Sequence, residues 1–427
     1  MPAFSISDAQ NILKAVYLPP IRELLNNSTV LLKYLEKEIQ ETEGLSFNIP
    51  LHVSRNEAAG DGRVENATLP TAGKQQYSNA QVPAKYLYSR ISVSGPVIAA
   101  TKSNKGSFLR ALDAEMRGVA KDTRRSFNRQ LHSDGRDALG FIVSTADPTY
   151  VIDDGLGNPG ADFLNTGAQL VDVINGSTNA VRQNDWQVTR GAIVATGRNI
   201  TRNAGTTTGV VAADYLVRHG VFGTGAIGQN TTNQMTGIAA VISNADPVLN
   251  ASGLHGITVA SQPDWSAQVT FGAGSSEATS SAGRADLSFP LMQTVFSNVA
   301  ANSDFSEQDI KLLLCSYQMR DAYVQLCRNE RVFYNNMKLD GGFEAVSYNG
   351  KPLVPDVHCR HNRIYFISPD SMALFRLAEL DWMDKDGNIL YRLAGGDQDA
   401  YGGTLFVYQE LGCKVRNANG LLLNINE

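Results

Sequence analysis

No stretch of this sequence approaches the roughly 20 consecutive apolar residues that a membrane-spanning helix requires, and its opening "MPAFSISDAQ" has no basic region followed by an apolar core. Neither membrane insertion nor export is indicated. Cysteine is scarce: Cys315, Cys327, Cys359 and Cys413 are the four in 427 residues, with no C-x-x-C pair among them. A disulfide framework is thereby excluded, and a reducing cytoplasm is the expected compartment. An excess of positive charge is also missing, since 37 basic residues face 42 acidic ones for a formal net of −5. That balance argues against a protein that wraps nucleic acid tightly, while leaving weak contact open. There is no G-x-S-x-G elbow, no P-loop and no H-E-x-x-H.

Three fragments of chemistry-bearing motifs are present. "GTGAIG", with Gly223, Gly225 and Gly228, satisfies G-x-G-x-x-G. A dinucleotide turn needs a helix starting at the last glycine, so that its N-terminus faces a pyrophosphate. Here Gln-Asn-Thr-Thr-Asn-Gln follows, a composition that favours turns. Asp246 stands at a spacing suited to a ribose contact, so a nucleotide-dependent oxidoreductase is the alternative from another functional class. His358, Cys359 and His361 in "HCRH" are metal-ligand types, but no second cluster completes a set of four. Asp384 and Asp386 in "DWMDKDGNIL" resemble part of a calcium loop, yet its glycine comes too early and Gly395 stands where the closing Glu belongs. No catalytic residue, metal or cofactor is assigned, and a non-enzymatic chain is expected.

Residues 8–42 read as a bent helical arm. Ile12, Leu13, Val16 and Tyr17 form one face, Pro19-Pro20 breaks it, and Leu31, Leu35 and Ile39 continue at helical spacing. In "LSFNIPLHVSR", Leu45, Phe47, Ile49, Leu51 and Val53 alternate as in a half-buried strand, and Pro50 points to a sheet edge. A second strand is predicted around "AKYLYSRISVSG", with Leu87, Ile91 and Val93 on one face and Tyr86 and Tyr88 on the other. The polar segment between them, about 54–81, is too long for an ordinary loop. A two-stranded hairpin is marginal alone in water, so the hairpin is expected to project and lie on a neighbouring subunit.

The longest helix predicted runs from Phe108 to His132, about 37 Å at about 1.5 Å per residue. Phe108, Leu112, Met116, Val119, Thr123, Phe127 and Leu131 recur at spacings of three or four, with Ser107 as N-cap and Asp134-Gly135 as stop. Its basic excess reads as a solvated face, with a docking surface for a partner or for nucleic acid as the alternative. Residues 139–220 alternate short apolar runs ("GFIVS", "TYVID", "QLVDVI", "AIVAT") with Gly, Asn and Asp turns, as in a small sandwich or barrel. "TFGAGSSEATSSAGRA", residues 270–285, has the composition of a flexible linker. A helical pair follows, "FPLMQTVFSNVAANS" and "SYQMRDAYVQLCRNE". Strands come last, with Asn349-Gly350 as a hairpin turn.

This order of parts resembles the tailed-phage major capsid proteins of the Hong Kong-97 fold. "KDTRRSFNRQLHSDG" is similar to the family's spine helix, with Asn128, Arg129, Gln130, Asp134 and Gly135 at its closing turn. "NQMTGI" is similar to the segment leading into the axial domain, and "LDGGFEAVSYNGKPLVPD" to a Gly-Gly-Phe strand and Asn-Gly hairpin. "LDWMDKDGNIL" resembles an aromatic turn, and "RNANGLLLNI" the terminal strand. The β-rich stretch is larger than a minimal member needs, which suggests an inserted module.

The resemblance implies an α+β fold with an N-terminal arm (1–44), an extended hairpin loop (45–98) and the spine helix of a peripheral domain (99–138). A β-rich segment or insertion (139–222), an axial domain (223–385), a return to the peripheral domain (386–412) and a terminal axial strand (413–427) would follow. It implies a capsid protein of the virion, assembled in the host cytoplasm into hexamers and pentamers of an icosahedral head around double-stranded DNA, with a portal and a scaffolding protein as partners. The arm starts almost at Met1, which leaves no room for a built-in scaffolding segment. An encapsulin-like compartment is the alternative within the fold. Arg63, Lys74, Tyr77, Lys85, Arg117, Arg124 and Arg125 are the candidate inter-subunit contacts. Lys74 and Lys85 could donate to a covalent cross-link, but no acceptor is identified and none is expected. Asp134, Gly135, Gly223, Gly225, Gly237, Asn349 and Gly350 are expected to serve backbone turns, where φ > 0 or close packing excludes a side chain.

Overall fold

The computed structural model describes residues 29–426 apart from 36–38, 42–45, 57, 59, 61, 101–110, 156–163, 165–166, 195, 223–231, 251, 279–282, 331–335, 339–343, 385–388 and 393–398. The first half of the predicted arm, Ser107, Phe108, Asp386, Gly395 and the glycines at 223, 225 and 228 lie outside the described residues.

In chain order the elements are helix α1 (Val30–Leu35), strands β1 (Ile39–Glu41), β2 (Ser46–Ser54), β3 (Gln76–Pro83) and β4 (Lys85–Ser94), and helices α2 (Gly95–Ala100) and α3 (Ala111–Leu131). Strands β5 (Gly140–Ala146), β6 (Thr149–Asp153), β7 (Gln169–Ile174), β8 (Val181–Val194), β9 (Gly197–Ala204) and β10 (Tyr215–Arg218) follow. Next come α4 (Ile238–Val241), β11 (Gln268–Phe271), α5 (Phe289–Asn302), β12 (Leu312–Cys315) and α6 (Tyr317–Asn329). The last are β13 (Asn336–Lys338), β14 (Glu344–Tyr348), β15 (Lys351–Pro355), β16 (Arg363–Ile367), β17 (Met372–Trp382), β18 (Tyr391–Arg392), β19 (Ala400–Cys413) and β20 (Gly420–Leu423). The class is α+β.

The described chain forms two compact units. The smaller comprises 89–123 and 382–405, the larger 29–88, 124–381 and 406–427; β4, α3, β17 and β19 contribute residues to both. In the smaller unit β18 pairs with β19 through Tyr391↔Gly402 and Arg392↔Tyr401. There a Cβ on Gly403 would lie 3.2–3.3 Å from Trp382, Ile91 and Leu390, tighter than ordinary packing.

The larger unit is built on a seven-stranded mixed sheet in the order β11-β20-β16-β12-β15-β14-β13. Both faces are buried, as the alternation along its strands dictates. Leu313, Cys315, Ile364, Phe366 and Leu422 point to the side of α5 and α6, joining Val295, Phe296, Met319 and Tyr323. Leu312, Leu314, Tyr365, Ile367, Leu421 and Leu423 point the other way, onto Leu31 and Leu35 of α1 and Phe127 and Leu131 of α3. The spine helix is therefore held by the stripe the sequence predicts: Thr123, Phe127 and Leu131 are buried, and Met116 and Val119 half-buried. Asn349 and Gly350, both at positive φ, close the β14–β15 hairpin.

Residues 140–218 form a closed six-stranded barrel, β5-β6-β9-β8-β7-β10, around Ile142, Tyr150, Ile152, Val171, Val173, Trp186, Val188, Ile200 and Leu216. Trp186 Nε1 donates to the Thr206 carbonyl at 2.5 Å, which satisfies its only polar atom inside the barrel.

Three sequence-based expectations change. Ile39 lies in β1, parallel to β17 in register with Leu374, and does not continue the arm helix. The partner of β2 is β3, from Ser46↔Pro83 to Ser54↔Gln76, and β4 pairs instead with β19. The long polar loop is thus 55–75, because "QYSNAQVP" places only Ala80 and Val82 on the core face and shows a weak apolar alternation. Finally, residues 270–278 are not a free linker. Gly272 N donates to the Leu423 carbonyl, and Asn424 accepts from Ala278 N and donates to the carbonyls of Ala273 and Ser276. A single asparagine at positive φ ties down a segment whose composition alone reads as flexible.

Candidate assembly surfaces

Two kinds of surface bear on function: those that leave the subunit, and the buried polar joints that hold them. The hairpin β2–β3 is the first kind. At its base Phe47 and Val82 pack on Ala373 and Phe375 of β17, and Gln81 N donates to the His255 carbonyl at 2.8 Å. Beyond Ser54 the described residues are mostly exposed, and among them are large apolar side chains open to solvent. Val64 and Leu69 are each 80% exposed and Tyr77 is 70% exposed. Arg63 and Lys74 lie exposed on the same excursion. Lys85 does not belong with them: it is half-buried at the start of β4, where Nζ donates to the Thr232 carbonyl at 3.1 Å of its own subunit.

The spine helix presents Arg117 and Arg124 exposed and Arg125 half-buried. Its last turn is different, with Asn128, Arg129, Gln130 and His132 all buried. Asn128 Nδ2 donates to the Asp356 carboxylate at 3.1 Å and to His358 Nδ1 at 2.8 Å, while its Oδ1 accepts from Leu32 N at 2.9 Å. Asp356 also accepts from Leu31 N. Two side chains remote in sequence thus cap orphan N–H groups of α1. Burial would raise the Asp356 carboxyl, but His132 and the hydrogen bonds of His358 hold it well below the carboxylate range. Burial depresses the His358 imidazole, so it stays neutral and accepts from Asn128. "HCRH" is accordingly a joint: His358 completes this network and Cys359 is buried in the core. Among the described residues no three His, Cys, Asp or Glu side chains are grouped to hold a metal.

The turn after α3 follows from short side chains and a glycine. Ser133 Oγ accepts from Gly135 N and Asp137 N, Gly135 has φ 92°, and Arg136 pairs with Asp134 at 2.6 Å. Although burial opposes it, Arg136 and Arg360 bring the Asp134 carboxyl down to about 2.

The glycines at 223, 225 and 228 lie outside the described residues, but the chain on either side of them is held together, and Thr232 to Gly237 form a strap leading on from the barrel. Phe222 bridges to Thr232, and Asn233 N donates to the Val221 carbonyl, so the chain returns beside the point where it left the barrel. From Thr232 to Gly237 it is non-helical, and α4 is a single turn beginning at Ile238. Among the described residues, no helix of the length a dinucleotide fingerprint requires begins between Thr232 and Ile242. Instead the strap is gripped from several sides: Met235 N donates to Gln130 Oε1 at 3.2 Å, and Thr236 N to Glu410 Oε1 at 2.8 Å. A Cβ on Gly237 would collide with the carbonyl oxygens of Gln130, Leu131 and Ser133. Close approach to the end of the spine helix, and no positive φ, is what demands glycine there. Burial pushes the Glu410 carboxyl up to about 8.

Arg416 completes the hub. Almost fully buried, it donates to the carbonyls of Val241 (2.8 Å), Trp265 (3.0 Å), Ala240 (3.0 Å) and Ala245 (2.6 Å). It thereby satisfies the C-terminal carbonyls of α4. Burial lowers its pKa to about 10, still well above neutrality.

A third joint closes the barrel. Asp172, fully buried, accepts from His219 Nδ1 at 2.8 Å and from Gly220 N at 2.8 Å, while His219 Nε2 lies 3.3 Å from Asp185. The hydrogen bond to Asp172 raises the His219 pKa. Stability from this pair is therefore fully present below about pH 6.5, the ordinary imidazole value, and is lost as pH rises through the folded pKa. The ring is partly exposed, so solvent screening keeps the effect below about 1 kcal/mol. Between pH 6 and 9 the melting temperature is expected to fall more in the native chain than in His219→Gln. Parallel curves for the two proteins would show that the histidine contributes nothing to pH dependence.

Sequence reasoning missed Arg416, Asp356, Glu410 and the Asp172–His219–Asp185 bridge. A weak signal existed only at "NRQLH", where the run of polar residues ends a helix that has no spare apolar face.

No protein-family model and no curated protein matches the chain. Among solved structures, the cyanophage A-1(L) capsid asymmetric unit superposes with a TM-score of 0.59 at 12% identity, over 98% of this chain and 98% of that one. The capsid of the empty GTA particle gives 0.53 at 9% identity, and that of the native GTA particle 0.50 at 11%, each over the full length of both chains. This is a phage-capsid fold. The likeness extends along 98% or more of each chain.

Proposed function

We propose that this chain is the major capsid protein of a tailed phage, forming hexamers and pentamers of an icosahedral head around double-stranded DNA. The observation that carries the reading is the match to the cyanophage capsid unit, which extends over 98% of each chain. The apolar excursion of the hairpin supports it, because exposed Val64, Leu69 and Tyr77 are costly on an isolated subunit and useful on one that overlaps its copies. Closed symmetry multiplies such contacts, so that each stays weak enough to be corrected during assembly while the shell as a whole holds. The larger unit's sheet and strap form the axial domain, and the spine helix belongs to the peripheral domain. A portal and a scaffolding protein are its partners in the infected cell's cytoplasm.

Negative-stain microscopy of the purified full-length chain tests this directly. Closed icosahedral shells, or rings of five and six subunits, are expected. A monodisperse monomer at every concentration and salt would overturn the reading. Shells that enclose a co-expressed host protein and no nucleic acid would move it to an encapsulin-like compartment.

A further inference from the structure

The strap from Thr232 to Gly237 is held near its two ends by side chains of opposite kind. At its start Lys85 Nζ donates to the Thr232 carbonyl at 3.1 Å, and toward its end the Glu410 carboxyl accepts from Thr236 N at 2.8 Å. Glu410 is only 2% exposed, and Leu411 N donates to the same oxygen, Oε1, at 2.9 Å. Among the described residues no cation lies within ion-pair distance of this carboxyl, and no hydrogen bond falls on Oε2. The charged groups of the surrounding elements are engaged elsewhere. On β17 Arg376 donates to Gln409 Oε1, at the end of α3 Arg129 pairs with Asp137 and His132 faces Asp356, and His255 accepts from Cys413 N. The strap itself, Thr-Asn-Gln-Met-Thr-Gly, carries no titratable side chain. Lys85, the first residue of β4, is the cation whose charge acts on Glu410, and β4 pairs with β19. An isolated carboxylate is strongly disfavoured away from water, so an acid in this place stays neutral until the pH is well above its ordinary range.

We propose that Glu410 and Lys85 form a proton-operated latch on the strap: while Glu410 is protonated Lys85 holds the Thr232 carbonyl, and when the proton leaves Lys85 is drawn to the Glu410 carboxylate and lets Thr232 go. The device lies within the subunit and stands independently of the capsid reading. Both backbone donors lie on Oε1, so Oε2 carries the proton and yields it to a base in solvent. What remains is a dehydrated anion, and Lys85 is the cation placed to answer it. Its side chain is half-buried, with a point charge on a flexible four-carbon stem that can change partner. A carboxylate is also a stronger acceptor than the neutral carbonyl it competes with. Thr236 N stays bonded to Glu410 in both states, so the end of the strap keeps its place beside the spine helix. The start is freed, where Asn233 N meets the Val221 carbonyl and Phe222 bridges to Thr232. A glutamine at 410 would satisfy the same two donors without ever ionising; glutamate adds only a response to protons. The sign follows from burial. Between about 4.5 and about 8 the folded chain holds a proton that the unfolded chain has lost, so stability falls as pH rises across that window and levels off above it.

Hydrogen–deuterium exchange of the full-length chain tests the latch, read as amide protection in the strap after division by the intrinsic exchange rate at each pH. From about pH 6 to about pH 9.5 the protection of Asn233 should fall about 10-fold, the effect of losing one hydrogen bond to a charged donor, while that of Thr236 holds. Glu410→Gln keeps the acceptor and cannot ionise, so its Asn233 amide should stay as protected at the higher pH as at the lower. Its urea midpoint should exceed the native one most above about pH 8. In Lys85→Met the same amide should be weakly protected at both pH values. Infrared spectroscopy of the native chain needs no variant: a carboxylic-acid carbonyl band present near pH 6 should vanish by about pH 9.5. Native protection of Asn233 that does not change with pH would overturn the proposal, as would the absence of that band. So would a Lys85→Met chain protected like the native one at the lower pH, or a Glu410→Gln chain that loosens as the native one does, which would assign the response to another group.

Discussion

Replacing residues 55–75 with a two-residue Asn-Gly turn, so that β2 runs directly into β3, is expected to yield a folded subunit that no longer forms stable shells. The base of the hairpin is retained, and it is the base that packs on β17 through Phe47, Val82, Ala373 and Phe375. The excised excursion makes few contacts with the rest of its own chain and holds Val64 and Leu69 almost fully in solvent. Thermal stability of the unassembled subunit should therefore change by no more than about 0.5 kcal/mol, the ordinary effect of altering a surface away from structural joints. Assembly should respond very differently. Burying a Val or Leu side chain in a neighbour contributes about 1.5–3 kcal/mol, and the loss of two such contacts recurs at every subunit of a closed shell. Sedimentation and negative-stain microscopy at matched concentration measure the result. The double substitution Val64→Asp and Leu69→Asp should reproduce it without shortening the chain. If either variant forms shells as abundant and as heat-resistant as the native protein, the excursion is not a clamp.

Arg416→Met should be the most destabilising single substitution in the larger unit, at about 3–5 kcal/mol. The methionine keeps most of the aliphatic stem and removes five donors, leaving the carbonyls of Ala240, Val241, Ala245 and Trp265 buried with no guanidinium to meet them. Losing one partner of a buried charged network costs far more than the network contributes as a whole, because the groups left behind have already been desolvated. Urea unfolding of the full-length chain measures the effect as a lower midpoint with an unchanged slope. A midpoint within experimental scatter of the native value would mean that water reaches these carbonyls and that Arg416 is no keystone. Arg416→Lys is the informative companion. A point charge cannot donate in four directions from one fork, so lysine should recover only part of the loss.

The two variants act on different parts of the larger unit, and the difference in what the sequence reveals about them is physical. The period-two run from Phe47 to Val53, the heptad-like stripe from Thr123 to Leu131, the Asn349-Gly350 turn and the apolar strands at 312–315, 363–367 and 420–423 are encoded locally. Each records the face it buries in its own spacing, so their existence and faces were legible without the fold. The barrel was only half legible. "GFIVS", "TYVID" and "QLVDVI" show their inward side chains, whereas β9, "GRNITRNA", buries Arg198 beside its one buried apolar side chain, Ile200, and carries no such signal.

Local spacing also failed wherever a residue's role depends on something far away in the chain. Ile39 continues a helical spacing but pairs with Leu374 as a strand, because an edge of β17 was open to it. Residues 270–278 have the composition of a linker, yet Asn424 fixes them from about 150 positions downstream. Asn128 meets Asp356, and Arg416 meets Val241, across separations that no periodicity records.

By itself the sequence determined the types and apolar faces of the strongly patterned elements, the lack of a long apolar run and the run of parts that resembles a capsid subunit. Only the tertiary structure decided which strand completes the hairpin, why Gly237 must be glycine, and which polar side chains are joints and which remain exposed on α3. The reason is that hydrophobic burial is written into every few residues, whereas a hydrogen bond in the core is a property of two distant positions and exists only once the chain has brought them together.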